Sequence, residues 1–302
     1  NKITILMATH NGAKYLIDQL DSIRLQDFSA WRLIISDDNS TDGTRALIRS
    51  YINDHPNLDI KFIEGADKGF CYNFLSMLGE VSTEYFCFCD QDDIWLPNKL
   101  THSIEMLEQY DGGALYCSPT IIVDSLGNRI GISPIFSRKT SFKNALVQSI
   151  AGGNTMVFNS KALEILKLAY DPSHIPISHD WWCYQVISGT GGTVHYDIMP
   201  LVKYRQHGGN LIGSNMSFYH RLKRLMLLLK GRYRDWTDVN LEALKTSALL
   251  LDANNQKILN KFIELRQEKL LTRIRTFNEL GLYRQTSFGN AVLFAACILK
   301  RI

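Results

Sequence analysis

Residues 85–95 read YFCFCDQDDIW: five apolar residues, Tyr85–Cys89, run directly into Asp90, Asp92 and Asp93. An unbroken apolar run of this length reads as a strand buried on both faces, because a half-buried strand would alternate. Three carboxylates in four residues repel one another at neutral pH. Such a cluster is stable mainly where a cation or several hydrogen bonds neutralise it. Hard divalent ions such as Mg²⁺ and Mn²⁺ take oxygen ligands, often one or two carboxylates plus substrate phosphates. The structural alternative is a solvated acidic loop that caps the helix expected over 96–110.

Upstream, the same design recurs. Lys2–Ala8 is a short apolar run ended by turn chemistry at Asn11-Gly12, and Leu16, Leu20, Ile23 and Leu25 follow at roughly helical spacing. Trp31–Ser36 reads as a strand, Asp37–Gly43 as a polar turn and Thr44–Tyr51 as a helix. Leu58–Ile63 and Phe70–Leu78 repeat the strand–helix pair. This β-α-β alternation with continuous apolar strands predicts a mainly parallel sheet covered by helices on both faces. Ligands of such sheets bind beyond the carboxyl ends of the strands. Thr9–Asn11, Asp37–Asp42 and Asp90–Asp93 each follow a strand, so all three fall on one edge.

Downstream, the pattern is mixed from Tyr110 to Asn159, with breaks at Gly112-Gly113 and Gly152-Gly153. Lys161–Tyr170 and His179–Ile187 look helical, and Gly191–Tyr204 looks like one final strand. Beyond about Gly213 helical periodicity dominates. The expected organisation is a catalytic domain over 1–213, in halves of about 1–110 and 111–213, followed by a helical region over 214–302.

The chain has 302 residues, 45% hydrophobic and 21% charged, as soluble globular proteins do. A net charge of +3 argues for no nucleic-acid partner. The six cysteines form no C-x-x-C pair and read as buried free thiols of a reduced compartment. No signal peptide is evident, and no stretch approaches the roughly 20 apolar residues of a membrane span. Between Phe218 and Leu229, Leu222, Leu225, Met226 and Leu229 recur at helical spacing among Arg221, Lys223 and Arg224. That segment reads either as a membrane-surface helix or as a packing helix. The expected location is cytoplasmic, with peripheral contact at the cytoplasmic face of the membrane as an option.

Several residues carry candidate chemistry, each beside a plainer reading. Ser40, Thr41 or Asp42 can cap the following helix, which leaves one of Asp37 and Asp38 free to accept from a base N–H. Lys68, in Asp67-Lys68-Gly69-Phe70, is a surface lysine or a diphosphate contact near a helix N-terminus. Asp180, in His179-Asp180-Trp181-Trp182, is a helix N-cap or a general base whose pKa an apolar tryptophan wall would raise. Trp181 and Trp182 are core residues or a platform for a sugar face. Gly153 and Asn154 form a turn or shape an acceptor site. His207 is structural or a metal ligand, and Arg205 can pair with phosphate. A nicotinamide-dependent dehydrogenase would need a glycine-rich turn after the first strand, and Ala8-Thr9-His10-Asn11-Gly12 is not one.

Ile5-Leu6-Met7-Ala8-Thr9-His10-Asn11-Gly12, Asp37-Asp38-Asn39-Ser40-Thr41-Asp42-Gly43-Thr44 and Asp90-Gln91-Asp92-Asp93-Ile94-Trp95 resemble glycosyltransferase family 2 in order and spacing, over roughly residues 2–210. His179-Asp180-Trp181-Trp182 and Tyr204-Arg205-Gln206-His207-Gly208-Gly209-Asn210 are further similar to bacterial rhamnosyltransferases of surface-polysaccharide (O-antigen or capsule) assembly. The resemblance implies an α/β GT-A fold, a Rossmann-like, mainly parallel sheet flanked by helices, with a C-terminal helical extension. It implies that Thr9, Asn11 and Asp38 line the nucleotide pocket, with Asp38 accepting from a pyrimidine N3–H. Asp90 would sit near the ribose or the metal, and Lys68 and Arg205 would join the nucleotide-sugar set. Asp92 would ligate Mn²⁺ or Mg²⁺, His207 would complete the shell, and Asp93 would ligate or cap. Asp180 would be the base; many relatives carry an acid before it, where this chain has His179. The implied reaction is inverting transfer of L-rhamnose from dTDP-β-L-rhamnose to a hydroxyl of a saccharide or lipid-linked oligosaccharide. A UDP-hexose or UDP-N-acetylhexosamine donor is the main rival. A metal-dependent phosphoryl-transfer enzyme and a non-catalytic carbohydrate-binding relative are remoter ones.

Overall fold

A computed structural model describes residues 1–207 and 231–302. Strands β1 (Ile3–Thr9), β2 (Trp31–Asp37), β3 (Ile60–Glu64) and β4 (Tyr85–Cys89) alternate with helices α1 (Leu16–Arg24), α2 (Thr44–Asp54) and α3 (Phe70–Ser76). β1 pairs in parallel with both β2 and β4, and β2 with β3. β4 is buried along its whole length, as its unbroken apolar run requires. Within it the period of two still sorts the side chains. Cys87 and Cys89 join Ile3, Ile5, Met7, Leu33 and Ile35 on one face, while Phe86 and Phe88 join Leu6 and Ile34 on the other.

Beyond β4 the sheet changes direction. β6 (Ala114–Cys117), β9 (Val157–Asn159) and β10 (Thr193–Tyr196) complete seven strands in the order β10-β6-β9-β4-β1-β2-β3, with β9 antiparallel to both neighbours. The Asn159 side chain accepts from the Ala162 N–H, capping α6 (Ser160–Ala169), and from the Ala114 N–H of β6. One residue therefore ends a strand, starts a helix and holds the neighbouring strand.

A second sheet was not evident in the sequence. It runs β5 (Ile94–Trp95), β11 (Val202–Arg205), β7 (Ile121–Val123), β8 (Arg129–Ile132). The single strand expected over 191–204 is thus two strands in different sheets. The chain breaks at Asp197–Leu201, where Pro200 removes a donor and Asp197 Oδ1 accepts from the Ile198 and Met199 N–H groups. β11 then pairs antiparallel with β5, directly after the acidic cluster. This delivers residues 205–207 to that cluster.

α4 (Lys99–Leu107), α5 (Phe142–Ala145) and α7 (His179–Gly189) complete the first 207 residues. Ten of the eleven α7 residues are buried, which explains its lack of amphipathic pattern. From residue 231, α8 (Arg232–Lys245), α9 (Ala253–Leu265), α10 (Leu270–Leu280) and α11 (Ser287–Ile298) follow. Tyr233, Leu244, Phe262, Phe277 and Leu293 belong to the same apolar cluster as Phe86, Phe158 and Trp182. The C-terminal helices therefore extend the core of the sheet. The boundary expected at 213/214, the Phe218–Leu229 segment and Gly208-Gly209-Asn210 lie outside the described residues. All six cysteines are buried free thiols. Among the described residues no helix is long and apolar enough to cross a membrane.

Candidate active site at the carboxyl edge

The loops after β1 and β2 are locked together by side chains that the sequence marks as polar. Asp37 is fully buried and accepts from the Thr9 hydroxyl (2.9 Å), the Ser40 N–H (2.9 Å) and Arg45 Nε (2.5 Å). Burial pushes this carboxyl up, and those hydrogen bonds, Arg45 foremost, outweigh it and hold the group below the usual carboxylate range. Asn11 takes a left-handed φ of 49°, and its Oδ1 accepts from the Thr41 (2.8 Å) and Asp42 (3.3 Å) N–H groups. Thr9 and Asn11 thus hold the loop that presents Asp38. Asp38 in turn accepts from the Asp67 and Gly69 N–H groups, each at 2.7 Å. It fastens the Asp67-Lys68-Gly69 turn, whose first and last residues have φ of 55° and 86°. Lys68 is exposed on that turn, its Nζ 4.7 Å from the Tyr72 ring centroid.

The acidic cluster after β4 is built from four separate segments. Asp93 has no exposure; it accepts from Asn154 Nδ2 and from the Arg205 N–H at 3.2 Å. Burial, then the adjacent Asp92 charge, pushes its carboxyl up to about 7 against those hydrogen bonds. Asp90 is raised well above the ordinary range by burial and by Asp93, Asp92 and Asp180. Asp92 Oδ2 lies 2.8 Å from His207 Nε2, and the His207 ring lies 4.8 Å from that of Tyr15. The pair expected as metal ligands is therefore brought into contact.

Asp180 enters from α7. Ser178 occupies the N-cap position, Asp180 lies in the first turn, and its Oδ1 accepts from the Trp181 N–H at 2.6 Å. The adjoining His179 ring lies 4.7 Å from that of Phe88 in β4, which sets this turn against the strand that ends in the acidic cluster, and the Asp180 charge helps to raise the Asp90 carboxyl.

Other expectations change in the folded chain. Trp181 and Trp182 are core side chains: Trp181 Nε1 donates to the Ala145 carbonyl at 2.7 Å, and Trp182 is 1% exposed against Tyr170. Neither offers a face to a sugar, because both indole rings are buried. Asn154 supports Asp93 from beneath. A Cβ on Gly153 would fall 2.2 Å from His179 Nε2, so glycine there admits the imidazole. Arg205 is 2% exposed; its guanidinium donates to the Asp92 carbonyl (3.1 Å), the Ser125 carbonyl (3.1 Å) and Asp18 (2.8 Å). It holds the backbone of Asp92 in place.

Three contributors carried no assigned contact in the sequence reading. Gln91 closes a two-bond pair with the His10 backbone, donating to its carbonyl and accepting from its N–H, each at 2.9 Å. A Cβ on Gly12 would collide with Gln91 Oε1 at 2.1 Å, so Gly12 and Gln91 depend on each other. Lys99 is buried beneath the cluster, 3.3 Å from the Trp95 ring centroid, and donates to the Asn154 carbonyl at 2.9 Å. Its only signal was a lysine in an otherwise ordinary helix start. His179 is buried with neither ring nitrogen partnered among the described residues. It stacks on Phe74 at 4.2 Å, and burial pushes it down to about 4, so it is neutral.

Asp92 oxygen and His207 nitrogen suit Mn²⁺ or Mg²⁺ in donor chemistry. Among the described residues no three His, Cys, Asp or Glu side chains gather to hold an ion by themselves. Such a site fits an ion whose remaining positions are filled by phosphate oxygens and water.

Residues 4–166 match the model of Glycosyl transferase family 2. A dTDP-rhamnosyl transferase, RfbG, of Shigella flexneri is 30% identical over 237 residues, covering 76% of this chain and 81% of that protein. An uncharacterized glycosyltransferase of Rickettsia typhi is 23% identical over 91% of this chain and 92% of its own length. Among solved structures, residues 1–349 of TarS from S. aureus in complex with UDP align over all of this chain and 89% of that one, with TM-score 0.58 and 14% identity. The mannosyltransferase PcManGT of Pyrobaculum calidifontis, in complex with GDP-Man and Mn²⁺, aligns over 99% and 85% with TM-score 0.54 and 16% identity. The fold is thus the GT-A arrangement that the motifs suggest.

Proposed function

The chain belongs to glycosyl transferase family 2 and is a glycosyltransferase, and from that premise we propose that it transfers L-rhamnose from dTDP-β-L-rhamnose, with inversion, to a hydroxyl of a saccharide or lipid-linked oligosaccharide. The observation that carries the catalytic part is the seating of the first turn of α7, which bears Asp180, against the end of β4, with the His179 ring 4.7 Å from that of Phe88. The donor rests on the Shigella rhamnosyl transferase, similar along most of both chains.

In this reading Asp38 and the Asp67–Gly69 turn it fastens border the nucleobase, and Lys68 approaches the diphosphate from that turn. Asp90 faces the ribose. Asp92 and His207 would hold a divalent ion, which would supply charge neutralisation for the departing diphosphate. Arg205 acts through the Asp92 backbone, and Asp93 with Asn154 backs the same turn. Asp180 takes the proton of the acceptor hydroxyl. The acceptor oxygen bonds to the anomeric carbon on the face opposite the diphosphate, whose bond to that carbon breaks. One displacement inverts the configuration, so a β-L-donor yields an α-L-rhamnoside.

The test is a donor panel of dTDP-rhamnose, UDP-glucose and UDP-N-acetylglucosamine with Mn²⁺ or Mg²⁺, reading nucleoside diphosphate release with lipid-linked and synthetic acceptors. Acceptor-dependent dTDP release is the expected result. Preferential turnover of a UDP-sugar would replace the donor and leave the chemistry standing. Release of inorganic phosphate alone would replace the chemistry.

A further inference from the structure

The last helix of the chain presents an uncharged face to the outside. α11 has no charged residue along its twelve positions. Leu293, Ala296 and Cys297 point inward and are buried. On the opposite side Phe288 (63% exposed), Ala291, Phe294 (38%) and Ile298 (38%) follow in steps of three and four, and Leu299 (51%) extends the row. A water-facing stripe of this kind is normally polar, and contiguous exposed apolar surface marks an interaction site.

α10 lengthens the stripe. It runs alongside α11, with the Phe277 and Phe294 ring centroids 5.8 Å apart and the Arg273 guanidinium donating to the Ile298 carbonyl at 3.1 Å. The first turn of α10 therefore adjoins the last turn of α11, and it carries the exposed Leu270 and Leu271. Cations gather at that end. Lys269 sits at the N-cap of α10, and Lys300 and Arg301 directly follow α11; all three are exposed and form no ion pair among the described residues. The nearest acid in sequence, Glu268, is turned inward and accepts from the Thr276 hydroxyl at 3.0 Å. Glu279, at the other end of α10, is engaged by Arg275.

We propose that this α10–α11 face docks the enzyme on a membrane leaflet containing anionic lipids. Phe288, Phe294, Ile298, Leu299 and Leu271 enter the headgroup–acyl boundary, and Lys269, Lys300 and Arg301 meet lipid phosphates. The charges select this occupant over a second copy of the chain. Self-pairing would leave the cations without an acid, whereas an anionic leaflet meets both the apolar stripe and its basic end. The inference stands apart from the donor and acceptor assignments, since binding is read without any sugar donor.

The experiment is cosedimentation of the full chain with phosphatidylcholine vesicles, with and without phosphatidylglycerol. Binding is expected with phosphatidylglycerol and should weaken as salt rises. Phe288→Ser with Phe294→Ser should lower vesicle affinity at least tenfold. Lys269→Glu with Lys300→Glu, both at exposed positions, should abolish the preference for phosphatidylglycerol while leaving the melting temperature and turnover of a soluble acceptor unchanged. Three outcomes would overturn the proposal: no binding to anionic vesicles, equal binding by both variants and the parent, or a stable dimer that the phenylalanine substitutions dissolve.

Discussion

Asp93 shows how far a single site departs from ordinary carboxylate behaviour. Its ordinary pKa of 3.8 is raised to about 7, first by burial and then by Asp92. Between these values the folded chain holds a proton that the unfolded chain has released, so stability falls as pH rises through that window. For metal-free protein, the Asp93→Asn variant should gain stability relative to the parent between about pH 5 and about pH 8. Differential scanning calorimetry at both pH values reads this, and a difference that stays constant would refute it. Asp37 and Asp197, both held low, lose their contribution only as pH falls below the ordinary carboxylate value, outside this window. Asp180→Asn should lower transfer by about 10²–10⁴-fold, the span typical of a general base, with donor affinity retained by calorimetry. Substantial residual transfer would reassign the base. Gly153→Ala sets a methyl against the buried His179 ring. It should cost about 1–3 kcal/mol, as overpacking does, and lower transfer by tilting the start of α7.

At the scale of elements, the site depends on β11 staying beside β5. Arg205 makes that join by bonding two carbonyls and Asp18 from one planar group. A lysine cannot span three acceptors set so far apart. Arg205→Lys should cost about 2–3 kcal/mol, consistent with losing charge-assisted hydrogen bonds. It should also weaken metal-dependent donor binding more than metal-free donor binding, because Asp92 and His207 lose their relative placement. Equal weakening with and without metal would argue that Arg205 touches the phosphates directly.

For the whole molecule, the decisive fact is one core shared by the sheet and the C-terminal helices. Trp181, Trp182 and Val186 belong to the same cluster as Tyr233, Leu244 and Phe262. A chain ended after residue 207 would expose that surface, so it should aggregate or melt without a cooperative transition. A cooperative, soluble 1–207 fragment would show that the helices are dispensable to the fold.

The parallel half of the sheet could be read in the sequence, because strands buried on both faces are written as uninterrupted apolar runs and their ends as turn residues. The strand-end acids were equally legible: Asp90 and Asp92 follow an apolar run, and the parallel pairing of β4, β1 and β2 puts them on the same sheet edge as Asp38, with β1 between. The short strands of the second sheet were not, since two to four residues carry no period. Tertiary structure decided what each polar group faces. It turned Arg205 to the backbone of Asp92, buried Lys99 and His179, and enclosed Trp181 and Trp182. Local pattern records only that a residue is polar or apolar. Its partner is set by chain that arrives from elsewhere in the sequence, 55 positions away for Lys99 and Asn154 and 113 for Arg205 and Asp92, and only the folded packing determines which groups lose water together.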